Sequence, residues 1–243
     1  DEALAAHTHT RPLAVFSVAN GVMKNEQLRD VHGAATVLGC MANVSGELMS
    51  DGEVLFTRNV RMPLGPLAGY GGPSAASIAT VIDAAGVVTE VVADIESVEW
   101  SKFAGWLAMF TLAVIARTTT GVYLENPRLA AVGVKLVKEA VALARARGIA
   151  LVDQSPIAVV SVDAAATPSA AAEILRDIGR NLIAQAPQHR MSALQDFDAG
   201  RRLEVHETLG YAWRESQRLG LAAPTMELCY ELVSGLDSLP RSS

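Results

Sequence analysis

Hydrophobic and polar residues follow two different rhythms along this chain. From residue 13 to about residue 94, short β-branched runs are broken by glycine: LAVFSVA, ATVLGCMA, EVLFTR and TEVVAD. Runs of this length and composition predict strands. Between the third and fourth lies PSAASIATVIDAAG, where Pro73 and Ser74 supply a helix start and Gly86 a helix stop. Strand, helix and strand in that order predict an α/β sheet with a crossover connection. From residue 97 the glycine punctuation thins and helical periods take over, predicting helices over 97–118, 126–147, 168–184, 192–198, 203–219 and 224–236. VDQSPIAVVSVDAAATP is the longest connection without a helical period. The pattern reads as α/β followed by all-α, with a boundary near residue 95, and clefts between such domains commonly hold ligands.

The front of the α/β part looks incomplete. It opens on a helix end over residues 3–9 and runs directly into a strand, with no G-x-G-x-x-G after any predicted strand. GPLAGYGG comes late, runs into Pro73 and reads as a surface loop. A sheet remnant lacking its opening strands would expose an edge and apolar surface, so the reading expects a longer parent protein.

Composition narrows the partners. Half of the 243 residues are hydrophobic, 19% are charged and the formal net charge is −6. No lysine or arginine run offers a footprint for nucleic acid or anionic lipid, so neither is expected as a partner. The longest apolar block, residues 106–116, is far shorter than the roughly 20 residues a bilayer demands and reads as a buried helix. The N-terminus has no apolar signal core, so a cytoplasmic protein is expected. Cys40 and Cys229 are too few and too far apart for a disulfide framework or a C-x-x-C metal site, and read as small buried residues. His7 and His9 have a metal-compatible spacing at a frayed terminus, and no metal is expected.

Several polar positions could carry chemistry. On the helix predicted over 97–118, Lys102 shares a stripe with Val98, Gly105, Trp106 and Met109, a face that points inward. Either it snorkels or pairs with Glu99 one turn earlier, or it is a proton donor kept in a dry cleft, where desolvation tunes an ammonium. In MSALQDFDAGRRLEVHETLGYAW, Ser192 and Gln195 have capping-box spacing, and Glu204 sits where a helix start favours carboxylates. Arg201 and Arg202 read as surface residues, and His206 has no metal-ligand partner four residues on. Asn20 and Gly21 follow LAVFSVA, as a turn or at the strand end where ligands of open sheets lie.

Four segments in this order resemble the ketopantoate reductase (2-dehydropantoate 2-reductase) family: VANG, WSKF, SALQDFDAGRRLE and GLAAPTMELCYELV. The resemblance spans nearly the whole chain. It implies residues 1–95 as the remainder of an NADP-binding Rossmann-like domain, and residues 96–243 as a helical substrate domain of the 6-phosphogluconate-dehydrogenase kind. It implies a cytoplasmic, NADPH-dependent reduction of a 2-oxo acid, as in pantothenate biosynthesis, with a homodimer possible. Lys102 falls on the family's catalytic lysine and Glu204 on the acidic residue beside it, close to the cofactor. Ser192 falls on a hydroxyl that holds the substrate carboxylate, and Asn20 on an asparagine near the nicotinamide. Such chemistry is coherent, because a developing alkoxide needs a proton and a cation while the cofactor supplies hydride.

The substrate shell departs from the family pattern. Trp106, Phe110 and Thr120 stand where family members commonly carry substrate-binding asparagines, and Leu209 replaces another. Fewer amides and two added aromatics predict a more apolar pocket and a substrate other than ketopantoate. The glycine fingerprint and the basic residue for the 2'-phosphate lie upstream of residue 1 in the family, so this chain alone is expected to be inactive. The competing expectation is a non-catalytic relative acting as a dimerisation or small-molecule-binding module.

Overall fold

The computed structural model describes residues 12–48, 52–154 and 156–240. The helix end expected over residues 3–9 and the pair His7 and His9 lie outside them. The chain forms two compact units, residues 1–99 and 100–243. The division falls inside one helix, a few residues beyond the boundary expected near 95.

The first unit is built around one long strand. Its elements are α1 (Met23–His32), β1 (Leu38–Cys40), β2 (Asn43–Leu48), β3 (Val54–Pro66), α2 (Ala75–Ala84), β4 (Thr89–Val91) and the opening of α3 (Ile95–Ala116). β3 pairs antiparallel with β2 along its first part and with β1 near its end, in the register Leu38↔Pro66 to Cys40↔Leu64. β4 joins β3 in parallel, Met62 opposite Thr89, after the crossover through α2 that the sequence predicts. Ser74 caps α2 by accepting from the Ser77 N–H, and Gly86 follows at φ 95°, close to its expected stop.

Alternation places the apolar residues in two layers. Leu38, Cys40, Met62 and Leu64 meet Ile78, Ile82 and Val87 on one side. Val37, Leu67 and Leu28 meet Ile95, Val92 and Val98 on the other. β3 approaches the start of α3 closely because Gly65 has no side chain; a Cβ there would lie 2.9 Å from Ile95 Cβ and 2.3 Å from the carbonyl oxygen of Val92 just before the helix.

Three readings of this unit are corrected. Among the described residues LAVFSVA makes a single parallel bridge, Val15 to Val37, instead of a strand. The third strand is 13 residues long, and β2 was not anticipated. α1 escaped notice because MKNEQLRDVH is polar around most of its circumference and buries only Lys24, Asn25 and Leu28.

The second unit is helical: the remainder of α3, α4 (Thr120–Glu125), α5 (Pro127–Ala146), α6 (Val159–Ala164), α7 (Pro168–Gln185), α8 (Ser192–Asp198), α9 (Leu209–Arg218) and α10 (Pro224–Ser238). Proline at the first position and a polar residue before it explain why α5 and α7 were legible. Asn126 accepts from Arg128 and Leu129 N–H at 3.0 and 3.1 Å, and Thr167 from Ala170 N–H at 3.1 Å. α10 has no local cap, and its first N–H groups, of Thr225 and Met226, donate instead to Glu139 of α5 at 2.9 and 2.8 Å. α6 interrupts the connection expected to be irregular, its start held by Asp153 through Val160 N–H at 2.7 Å.

α4 and α7 cross almost backbone to backbone. A Cβ on Gly179 would lie 2.5 Å from the Glu125 nitrogen, and one on Gly121 would lie 2.9 Å from the Ile183 nitrogen. α3 is long and apolar enough by length and composition to cross a bilayer, yet 83% of its most apolar window is buried within the protein, as in a core helix.

Candidate active site

The turn of α3 that carries Lys102 is fixed by its neighbours in sequence. Glu99 is 4% exposed. Its carboxylate accepts from Lys24 Nζ, from Asn25 Nδ2 at 2.6 Å and from Cys40 N–H at 3.0 Å. Glu99 is ion-paired with Lys24. Trp100 is buried, meets Phe103 edge to face at 5.7 Å and carries the Arg147 guanidinium 5.2 Å above its ring. Arg147 in turn donates to Glu215 at 2.8 Å. Ser101 Oγ accepts from Val152 N–H at 2.9 Å. Lys102 itself is half-buried.

Further along α3, Trp106 and Phe110 stack with ring centroids 4.9 Å apart and planes 25° from parallel. They are 7% and 1% exposed, so Phe110 in particular is part of the packed interior. Thr120, at the start of α4, is fully buried and doubly bound to His189. Its N–H donates to the His189 carbonyl at 2.8 Å, and its hydroxyl lies 2.9 Å from His189 Nδ1. The Tyr123 hydroxyl donates to the Met109 carbonyl at 3.2 Å, which ties α4 to α3 beside Phe110. Burial pushes the Tyr123 phenol far above its ordinary range, and the Thr120 hydroxyl opposes that shift only in part.

Ser192 is exposed and is the first helical residue of α8, with Met191 at the cap position. The capping box expected from Ser192 and Gln195 does not form, and Gln195 Nε2 donates to the Arg190 carbonyl instead. Glu204 is exposed and lies in a loop, because α9 begins at Leu209 and not at residue 203. Residues 205–208 form a turn, with Gly210 N–H donating to Val205 at 2.8 Å. Arg201 pairs with Asp196 as an exposed residue. His206 bonds the Tyr230 hydroxyl at 2.8 Å.

In the first unit, Asn20 is half-buried in a bend, followed by Gly21 at φ 82°. Side-chain rotation aside, that left-handed turn is a conformation glycine adopts at little cost.

The structure thus joins Trp106 to Phe110 and Thr120 to His189, while Lys102, Ser192 and Glu204 stand on three separate segments of the helical unit. His189 was missed from the sequence. Its nearness to Ser192 was the available signal, but a lone histidine in a loop has no period to mark it. Two surface cavities are described, of about 240 Å³ around Arg145 and Asp163 and about 400 Å³ around Thr80 and Asp83. Neither is lined by any of these residues. Among the described residues no group of three His, Cys, Asp or Glu side chains could hold a metal ion.

The model of the family described as ketopantoate reductase PanE/ApbA, C terminal, matches residues 94–237. The chain belongs to the ketopantoate reductase family. It is 26% identical over 224 residues to the 2-dehydropantoate 2-reductase of Archaeoglobus fulgidus, covering 92% of this chain and 68% of that protein. A PanE/ApbA family ketopantoate reductase from Ralstonia eutropha JMP134 superimposes with a TM-score of 0.72 at 24% identity, over 92% of this chain and 66% of that one. D-mandelate dehydrogenase, solved with NADH, has a TM-score of 0.76 at 17% identity, over 93% and 71%. The chain spans about two thirds of the length of these proteins. Its architecture is that of the C-terminal part of a Rossmann-like domain followed by a helical domain.

Proposed function

We propose that the protein of which this chain forms the matching part reduces a 2-oxo acid to a 2-hydroxy acid with NADPH. Lys102 donates the proton to the carbonyl oxygen, with Glu204 beside it, Ser192 on the substrate carboxylate and Asn20 at the nicotinamide. The reading is carried by the setting of Lys102. Glu99, Trp100 and Ser101 are each bound to a different segment, so the lysine rises from a turn that cannot rotate freely. A general acid held in a fixed position loses little freedom when the substrate arrives.

The residues present suit one end of the cofactor. Asn20 stands half-buried in a bend, and Gly21 lets the chain turn sharply beside it. The pyrophosphate fingerprint is not among these residues. When bound, the dinucleotide supplies the hydride. The chain's own task is to hold the carboxylate, protonate the oxygen and keep the pocket apolar around the substrate's remaining atoms. Trp106, Phe110 and Thr120 favour a substrate less polar than ketopantoate, because Thr120 already directs its hydroxyl at His189.

In the full-length protein, Lys102→Ala lowers kcat by about a hundredfold or more, the usual worth of a general acid. The assay follows NADPH oxidation across a panel of ketopantoate, 2-oxoisovalerate and phenylglyoxylate. Unchanged turnover of a responsive substrate sinks the assignment.

A further inference from the structure

Helix α1 is anchored in an unusual way. Its cap position is Val22, which has no side-chain acceptor, so nothing local fixes where the helix begins. Its first turn holds Lys24, a cation at the positive end of the helix dipole, two residues before Glu26, whose charge suits that end. Lys24 and Asn25 are 8% and 9% exposed, although both are polar.

One acceptor accounts for all three oddities. Lys24 Nζ donates to Oε1 of Glu99, and Asn25 Nδ2 donates to Oε2 at 2.6 Å. Cys40 N–H completes the set at 3.0 Å. Gly39 leaves room for the carboxylate, since a Cβ there would lie 3.1 Å from Oε2 and 2.6 Å from Ile95 Cγ2. Apolar side chains would bury such a junction without stripping two charges of their hydration, but they would fix no rotation of the helix. What the polar arrangement adds is register: only one rotation of α1 brings Lys24 and Asn25 to the two oxygens together. Asn20 lies four residues before Lys24, joined to it through the left-handed turn at Gly21.

We propose that Glu99 is a positioning residue for the Asn20–Gly21 turn, acting through Lys24 and Asn25. The proposal rests on the reading of Asn20 as the partner of the nicotinamide. Glu99 sets the rotation of α1, and the rotation of α1 sets where the Asn20–Gly21 turn lies.

The decisive variant replaces the pair by apolar side chains of similar length, Lys24→Met with Glu99→Leu, in the full-length protein. It leaves no unpaired buried charge, only the Asn25 amide and the Cys40 N–H without their acceptor, and a cooperative thermal transition checks that it folds. Amide hydrogen exchange across residues 19–25 is expected to rise about tenfold or more as the turn loses its anchor. With a responsive 2-oxo acid, kcat falls about tenfold while the KM for NADPH stays within about threefold, as misplacement of a reacting group requires. A purely structural pair predicts the opposite: restored packing, protected amides and wild-type kcat. Wild-type exchange at residues 19–25 overturns the positioning role, and faster exchange with unchanged kcat overturns its bearing on the reaction. A wild-type protein that reduces none of the 2-oxo acids sinks the proposed function instead, and hydrogen exchange still decides the part played by Glu99.

Discussion

Trp106 stacks on a fully enclosed phenylalanine, Phe110, at two positions where the family resemblance leads one to expect amides. Trp106→Asn in the full-length protein is expected to shift kcat/KM from apolar 2-oxo acids toward ketopantoate. It also lowers the melting temperature, since truncating a buried aromatic costs about 3 to 5 kcal/mol. An unaltered ratio across the panel places Trp106 outside the pocket. At this scale the sequence revealed which residue types were unusual but not what they touched. Lys102 stood out because a charge interrupts an apolar stripe. Glu99 and Lys24 did not, because a glutamate and a lysine 75 positions apart announce no partnership until the fold brings them together. Thr120 was legible only as a departure from the family, and its bond to His189 spans 69 positions.

Elements with strong ends were read well and short ones poorly. α8 begins and ends where the sequence predicts, and α3, α5, α7 and α10 differ by two residues or fewer. The starts of α5, α7 and α10 are marked by Pro127, Pro168 and Pro224, and the first two also by the polar residue before the proline. α4 and α6, six residues each, have too few turns to show a period. Two glycines in otherwise helical segments carry the most information about packing. Gly179→Ala forces a methyl into the backbone of α4, where no side chain can yield. It is expected to destabilise the helical unit by about 1 to 3 kcal/mol, as overpacking does. It should also disturb the bond between Thr120 and His189. A denaturant midpoint equal to wild type would show that α4 can slide to accommodate it.

The molecule as a whole should lose stability in acid for identifiable reasons. The Arg218 guanidinium, aided by Arg147, holds the Glu215 carboxyl below its ordinary value against the opposing effect of burial. Burial pushes the Asp153 carboxyl up, but the Ser161 hydroxyl and the Ser161 and Val160 N–H groups outweigh it and bring it below the usual range. Both groups bind a proton less readily when folded than when unfolded. Their contribution is therefore complete above the ordinary carboxylate range and disappears as pH falls through their lowered values, from about pH 4.5 downward. The melting temperature is expected to drop over that interval, and Glu215→Gln with Asp153→Asn to flatten the drop. A profile unchanged by the double substitution would assign acid sensitivity to other groups. The two-part architecture was visible in the change of hydrophobic rhythm, whereas the pairing of β1 and β2 with β3 was not, because strand neighbours depend on contacts that no local pattern encodes.

Both cysteines are enclosed, Cys40 at 1% and Cys229 at 3% exposure. Burial, with the Glu139 carboxylate adding to it, pushes the Cys229 thiol up to about 11. At neutral pH that leaves roughly one thiolate in ten thousand for Cys229, so this sulfur is nearly silent toward alkylating reagents and mild oxidants. Residues 1–243 therefore offer a quiet chemical background. A cysteine introduced at an open position such as Val81, 71% exposed, would take a fluorophore or spin label with little competition from the native thiols.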